Sequence, residues 1–171
     1  MDKKLLGLII ILTISIVAIS RYMGEDNLKL FENEDISFKY PNTFSDATNT
    51  VIESKEGYLL YQRFENYWKE ETFTIVCEEC NLTLNQKYNE IERNFSLQRD
   101  IADFSLENVT INGVPAIKQN AKWVPDIYNS KYVIYLYFIH NETFYTLSFH
   151  GKDLQSIESL YDAVTQTIEL K

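Results

Sequence analysis

The chain has 171 residues, 45% hydrophobic and 24% charged, a size and balance that fit one ordinary globular domain plus an N-terminal segment. Its net charge is -9 and no basic cluster interrupts the acidity, so the surface repels phosphate backbones and nucleic acid is excluded as a partner. With 5 Gly and 3 Pro there is little room for glycine-rich phosphate loops or long flexible linkers, while 12 Tyr and 10 Phe favour a β-rich core.

Lys3 and Lys4 precede an uncharged run from Leu5 to Ser20, and Arg21 and Tyr22 follow it. A spanning helix takes about 20 apolar residues, and the flanking Lys4 and Arg21 can reach the two interfaces. A cleaved signal has an apolar region of about 7 to 15 residues and a small-x-small exit, which Ala18-Ile19-Ser20 offers as an alternative. The length of the run favours an uncleaved signal-anchor over residues 1–23. It crosses the cell membrane through residues 5–20, with the N-terminus cytoplasmic and the rest of the chain outside. Residues 24–27 then form a short polar linker, and residues 28–171 form the globular domain.

Leu28–Phe31, a turn at Asn33-Glu34-Asp35, and Ile36–Tyr40 read as strand, turn and strand, ended by Pro41. Asn42–Ala47 reads as a turn or one helical turn. Thr50–Glu53, Tyr58–Phe64 and Thr72–Cys77 read as three further strands, with Asn66–Glu71 an exposed loop holding Tyr67 and Trp68. Leu84, Tyr88, Ile91 and Phe95 recur at helical spacing and predict an amphipathic helix over Leu84–Gln98, with Thr83 as its N-cap. Phe104–Ile111 and Val114–Trp123 flank Asn112-Gly113, a strong hairpin signal.

Lys131–His150 reads as two long strands joined at His140-Asn141-Glu142-Thr143. In the first, Tyr132, Ile134, Leu136 and Phe138 share one face, and Val133, Tyr135, Tyr137 and Ile139 the other. Both faces are apolar, so the sheet is expected to be covered on both sides. A second amphipathic helix follows over Leu154–Thr167, with Leu154, Ile157, Leu160, Tyr161 and Val164 on its apolar face. The predicted fold class is α+β: an antiparallel sheet flanked by helices in an α/β/α sandwich, preceded by one N-terminal transmembrane helix.

Three short pieces resemble the PsbP-like superfamily when taken in order. Ile36-Ser37-Phe38-Lys39-Tyr40-Pro41 resembles its opening, Val109 to Ala116 its mid-domain hairpin, and Tyr145 to Phe149 with a closing helix and a Thr167–Leu170 strand its ending. The resemblance covers about Leu28 to Lys171. It implies an antiparallel sheet between helices and a non-catalytic binding or assembly role, without naming a partner.

Cys77-Glu78-Glu79-Cys80 is the most reactive-looking motif. In an oxidising exterior Cys77 and Cys80 read first as a structural disulfide. Free thiols, a metal site and a redox pair are the alternatives, and the two glutamates between the thiols oppose the lowered pKa that redox chemistry needs. A zinc site would need two more ligands, and His140 and His150 are the only histidines. Asn81, Asn94, Asn108 and Asn141 stand in Asn-x-Ser/Thr sequences. Asn81, Asn108 and Asn141 are the candidates for glycosylation, and Asn94 falls inside the predicted helix. Tyr58, Tyr61, Tyr67 and Trp68 form a candidate binding surface. Serine-hydrolase elbows, zincin motifs, P-loops and dinucleotide fingerprints are absent. The expectation is therefore a membrane-anchored, extracytoplasmic, non-catalytic domain without a cofactor. It would bind a protein or other envelope component. An exported thiol-disulfide redox protein and a small-ligand or metal-binding accessory domain are the alternatives.

Overall fold

Residues 27–48, 59–96, 101–123 and 131–171 are described by a computed structural model of the chain. The predicted leader, the predicted strand Thr50–Glu53 and Tyr58 lie outside these residues. Among the described residues no helix is long and apolar enough to cross a membrane.

The elements in chain order are β1 (Leu28–Glu32), β2 (Ile36–Pro41), β3 (Ser45–Asp46), β4 (Leu60–Asn66), β5 (Glu71–Glu79), α1 (Leu84–Ser96), β6 (Ile101–Ile111), β7 (Val114–Trp123), β8 (Lys131–His140), β9 (Thr143–Gly151), α2 (Leu154–Thr165) and β10 (Glu169–Leu170). Seven strands form the main sheet in the order β3-β4-β5-β9-β8-β7-β6, and β1-β2-β10 form a second, smaller one. Every pairing is antiparallel.

The β8–β9 hairpin lies at the centre, as its two apolar faces require. Its turn residues Asn141 and Glu142 both have positive φ, 48° and 58°, the signature of a two-residue primed turn. That turn sets the register at His140↔Thr143 and carries it to Tyr132↔Gly151. The β6–β7 turn repeats the device with Asn112 and Gly113, at φ 48° and 83°. Thr83 caps α1 reciprocally: its Oγ1 accepts from the Gln86 amide at 3.3 Å, and its own amide donates to Gln86 Oε1 at 2.8 Å. Asp153 caps α2, accepting from the Ser156 amide at 2.9 Å.

On one face of the main sheet, Phe64, Phe73, Phe149 and Ile134 stand side by side across four strands. Phe64 and Phe73 stack at 4.4 Å, and Phe73 and Phe149 at 5.8 Å. All four are essentially inaccessible to water, and each phenylalanine so buried contributes on the order of 2 kcal/mol. α2 covers this face with Ile157, Leu160, Tyr161 and Val164. The smaller sheet shares the cover: Phe38 meets Phe73 edge-on at 6.1 Å, and Tyr40 meets Phe64 at 4.6 Å. On the opposite face, Cys80, Ile117, Tyr137 and Phe144 form a second core under Leu84, Tyr88 and Ile91 of α1.

Covers on both faces agree with the expectation, but one of them is only half helical. Ile36, Phe38 and Tyr40 do form a strand face. The hydrogen bonds of β2, however, go to β1 and β10, so the strand packs face to face on the main sheet instead of joining it. Ser45–Asp46, expected within a turn, forms a short edge strand on β4.

Candidate functional site at one end of the main sheet

The strand registers sort the molecule into two ends. At one end lie Asn27, the β4–β5 turn, the start of β8 and the end of β9. The pairs Thr72↔His150, Val133↔His150 and Trp123↔Lys131 place His150, Lys131 and Trp123 together there. At the other end lie both primed turns, Cys80 and the C-terminus.

α1 crosses its face of the sheet toward the first end, where Phe95 meets Tyr135 edge-on at 5.6 Å. Beyond Phe95, described residues line a groove of about 570 Å³. Val133, Tyr135 and His150 form its floor and Trp123 its wall, with Lys131, Lys152 and Glu70 at the rim. Tyr135 stacks on Tyr137 at 5.7 Å and meets the His150 ring edge-on at 6.1 Å.

The groove carries cations over an aromatic floor. Burial, followed by the charges of Lys131 and Arg63, pushes the His150 imidazole down to about 4, so the ring is neutral at pH 7. Lys152 pairs with Glu70 at 2.5 Å and holds that carboxyl below its ordinary range. Arg63 pairs with Glu65 at 2.7 Å. Burial raises the Tyr135 hydroxyl. An anionic or aromatic group entering here would meet lysine ammonium groups and ring faces.

Sequence reasoning missed this groove, although the signal was present. Once the turn is placed at Asn141-Glu142, strand arithmetic puts Val133 opposite His150, and Tyr135, Val133 and His150 then share a face.

The other sequence candidates lie apart. Tyr67 and Trp68 are 83% and 91% exposed at the β4–β5 turn, in edge-to-face contact at 6.0 Å. Tyr61 is half-buried further along β4, opposite Val76, and does not join them. Cys77 and Cys80 are free thiols, so the expected disulfide is not formed. The reason is directional: Cys77 points into the α2-side core and Cys80 into the α1-side core. Burial, and after it Asp35, pushes the Cys77 thiol up to about 12. Asn81, Asn108 and Asn141 are all exposed, and Asn94 is exposed on α1. Asn141 Nδ2 donates to the Lys171 carbonyl at 3.3 Å. His140 Nε2 lies 3.0 Å from the same oxygen, far from His150 at the other end of the hairpin. Among the described residues no three of His, Cys, Asp and Glu converge as metal ligands.

No protein-family model matches the chain, and no curated protein matches it in sequence. Solved structures do match in shape. Cyanobacterial PsbP (CyanoP) from Synechocystis sp. PCC 6803 is similar with a TM-score of 0.63 at 15% identity, over 85% of this chain and 93% of that one. A protein from Bacteroides thetaiotaomicron is similar with a TM-score of 0.54 at 17% identity; the match covers 80% of this chain and 45% of that longer one. Two helices on an antiparallel main sheet, in the arrangement shared with CyanoP, give this chain a PsbP-like fold.

Proposed function

We propose that the chain is a non-catalytic binding or assembly domain, tethered to the outer face of the cell membrane by residues 5–20. Its groove at the His150 end would receive an acidic or aromatic segment of an envelope protein. The observation that carries this reading is the groove's composition: Tyr135 in the floor and Trp123 in the wall, under Lys131 and Lys152, with a histidine held neutral. Such a surface suits recognition of an anionic or aromatic group. The apolar leader and the PsbP-like fold support the tethered accessory role.

The test is a photo-crosslinking residue in place of Tyr135 in the full chain, in its native envelope. One discrete protein adduct is expected, and Lys131→Glu with Lys152→Glu should abolish it. Absence of any adduct, or an adduct indifferent to both lysines, overturns the reading. A thiol-disulfide redox role for Cys77 and Cys80 is disfavoured, because the two sulfurs face opposite cores and the Cys77 thiol is pushed up to about 12.

A further inference from the structure

The β4–β5 turn presents two large aromatic rings to water with nothing of the described protein over them. Trp68 is 91% and Tyr67 83% exposed. The turn is held firmly beneath them: Asn66 is buried, its Oδ1 accepts from the Lys69 amide at 3.3 Å, and its Nδ2 donates to Thr43 Oγ1 at 3.4 Å. Glu70 closes the turn with φ 55°. The rings are thus carried on a braced tip.

That tip stands at the end of the molecule where the leader enters. Asn27 is tied to Asn42 by two bonds: the Asn42 amide donates to the Asn27 carbonyl at 2.7 Å, and the two side chains join at 3.1 Å. Thr43, the next residue, bonds Asn66, next to Tyr67. From Ser20 to Asn27 the chain can reach at most about 25 Å, which holds this end of the domain close to the bilayer.

Charge at this end is mixed: Lys69 lies in the turn, Lys152 reaches Glu70, and Lys29 bonds the Phe44 carbonyl, among the acids Glu65, Glu71, Asp46 and Asp153.

We infer that Tyr67 and Trp68 are a membrane foot, bedding at the lipid–water interface beside the tether and fixing how the domain stands on the bilayer. Tryptophan and tyrosine favour that interface because an apolar ring and a polar N–H or O–H are satisfied there together. The foot and the groove share one end of the sheet, so the groove opens beside the lipid surface, where a membrane protein's juxtamembrane segment is within reach. The inference rests on the reading of residues 5–20 as a membrane tether.

The test uses the full chain with phosphatidylcholine vesicles containing a minority of phosphatidylglycerol and brominated acyl chains. The chain has only two tryptophans, Trp68 and Trp123. The chain should float with the vesicles. Its emission should shift to the blue and be quenched by the bromines, and the quenched component should vanish in Trp68→Phe. If the chain floats and Trp68 emission is not quenched, the foot is refuted while the tether stands. If Trp68 is also shielded from a water-soluble quencher, a protein or a second copy covers it and the foot is again refuted. A chain that does not float refutes the tether and the foot with it.

Discussion

The Tyr137 hydroxyl donates to Gln119 Oε1 over 2.8 Å, between neighbouring strands β8 and β7 beneath α1. Gln119 is wholly buried, and its Nε2 has no partner among the described residues. Tyr137→Phe would strand the Gln119 oxygen in the core and should cost about 1–3 kcal/mol. Adding Gln119→Leu should recover part of that loss, because no buried polar group then remains unpaired. Urea unfolding of the single and double variants checks both signs.

The Cys77 and Cys80 thiols should be unreactive in the folded chain. Both are buried, at 3% and 5% exposure, and the Cys77 thiol is pushed up to about 12, so thiolate is scarce at neutral pH. A disulfide-exchange reagent should label neither sulfur until denaturant is added, after which both react. Fast labelling of the native chain would contradict the opposed orientation of the two side chains.

Stability should fall in acid through His150. An unfolded histidine titrates near 6.5, whereas the folded one is lowered to about 4. Between these values the unfolded chain binds more protons than the folded chain. The contribution is therefore fully present above about pH 6.5 and is lost progressively as pH falls toward 4, on the order of 3 kcal/mol in all. His150→Gln should flatten that part of the stability–pH curve. NMR titration of the His150 ring should find it titrating well below the ordinary histidine value.

Glu142 spends a left-handed conformation, φ 58°, in the central turn. At the matching position of the β6–β7 turn the chain uses Gly113, φ 83°. Glu142→Gly should stabilise the domain by about 0.5–1 kcal/mol, since glycine adopts this region without the Cβ clash. A rise in melting temperature would show it, and a fall would mean that the glutamate side chain makes a contribution larger than its strain.

The central hairpin was legible because its signals are local. Alternation from Lys131 to Ile139 marks two apolar faces, and Asn141-Glu142 fixes the register that brings Tyr135 and His150 together. The helices were legible from period and cap, although α2 ends at Thr165, a little short of the expected Thr167. Which strand neighbours which is not a local property. Ile36, Phe38 and Tyr40 announce a strand with one apolar face, but nothing in them states that β10 would take its edge and turn it into a second layer. The pair Cys77 and Cys80 misled for a related reason. Spacing suggests proximity, yet Cys77 is the third-last residue of β5 with its side toward α2, and strand alternation carries Cys80, three residues on, into the other core. The groove was half legible: its residues alternate correctly, but Trp123 and Lys152 come from outside the hairpin.

β5 takes its inner neighbour from β9, with Thr72 against His150 and Glu79 against Thr143, so one edge of β5 waits for a partner made roughly 70 residues later. Until the last third of the polypeptide has been delivered, Phe73 and Ile75 sit on an open ladder that any extended stranger could join. A chain released without its C-terminal third would therefore not be a smaller version of this domain; it would be an adhesive half-sheet, and its fate would depend on how quickly a protease or chaperone reached it.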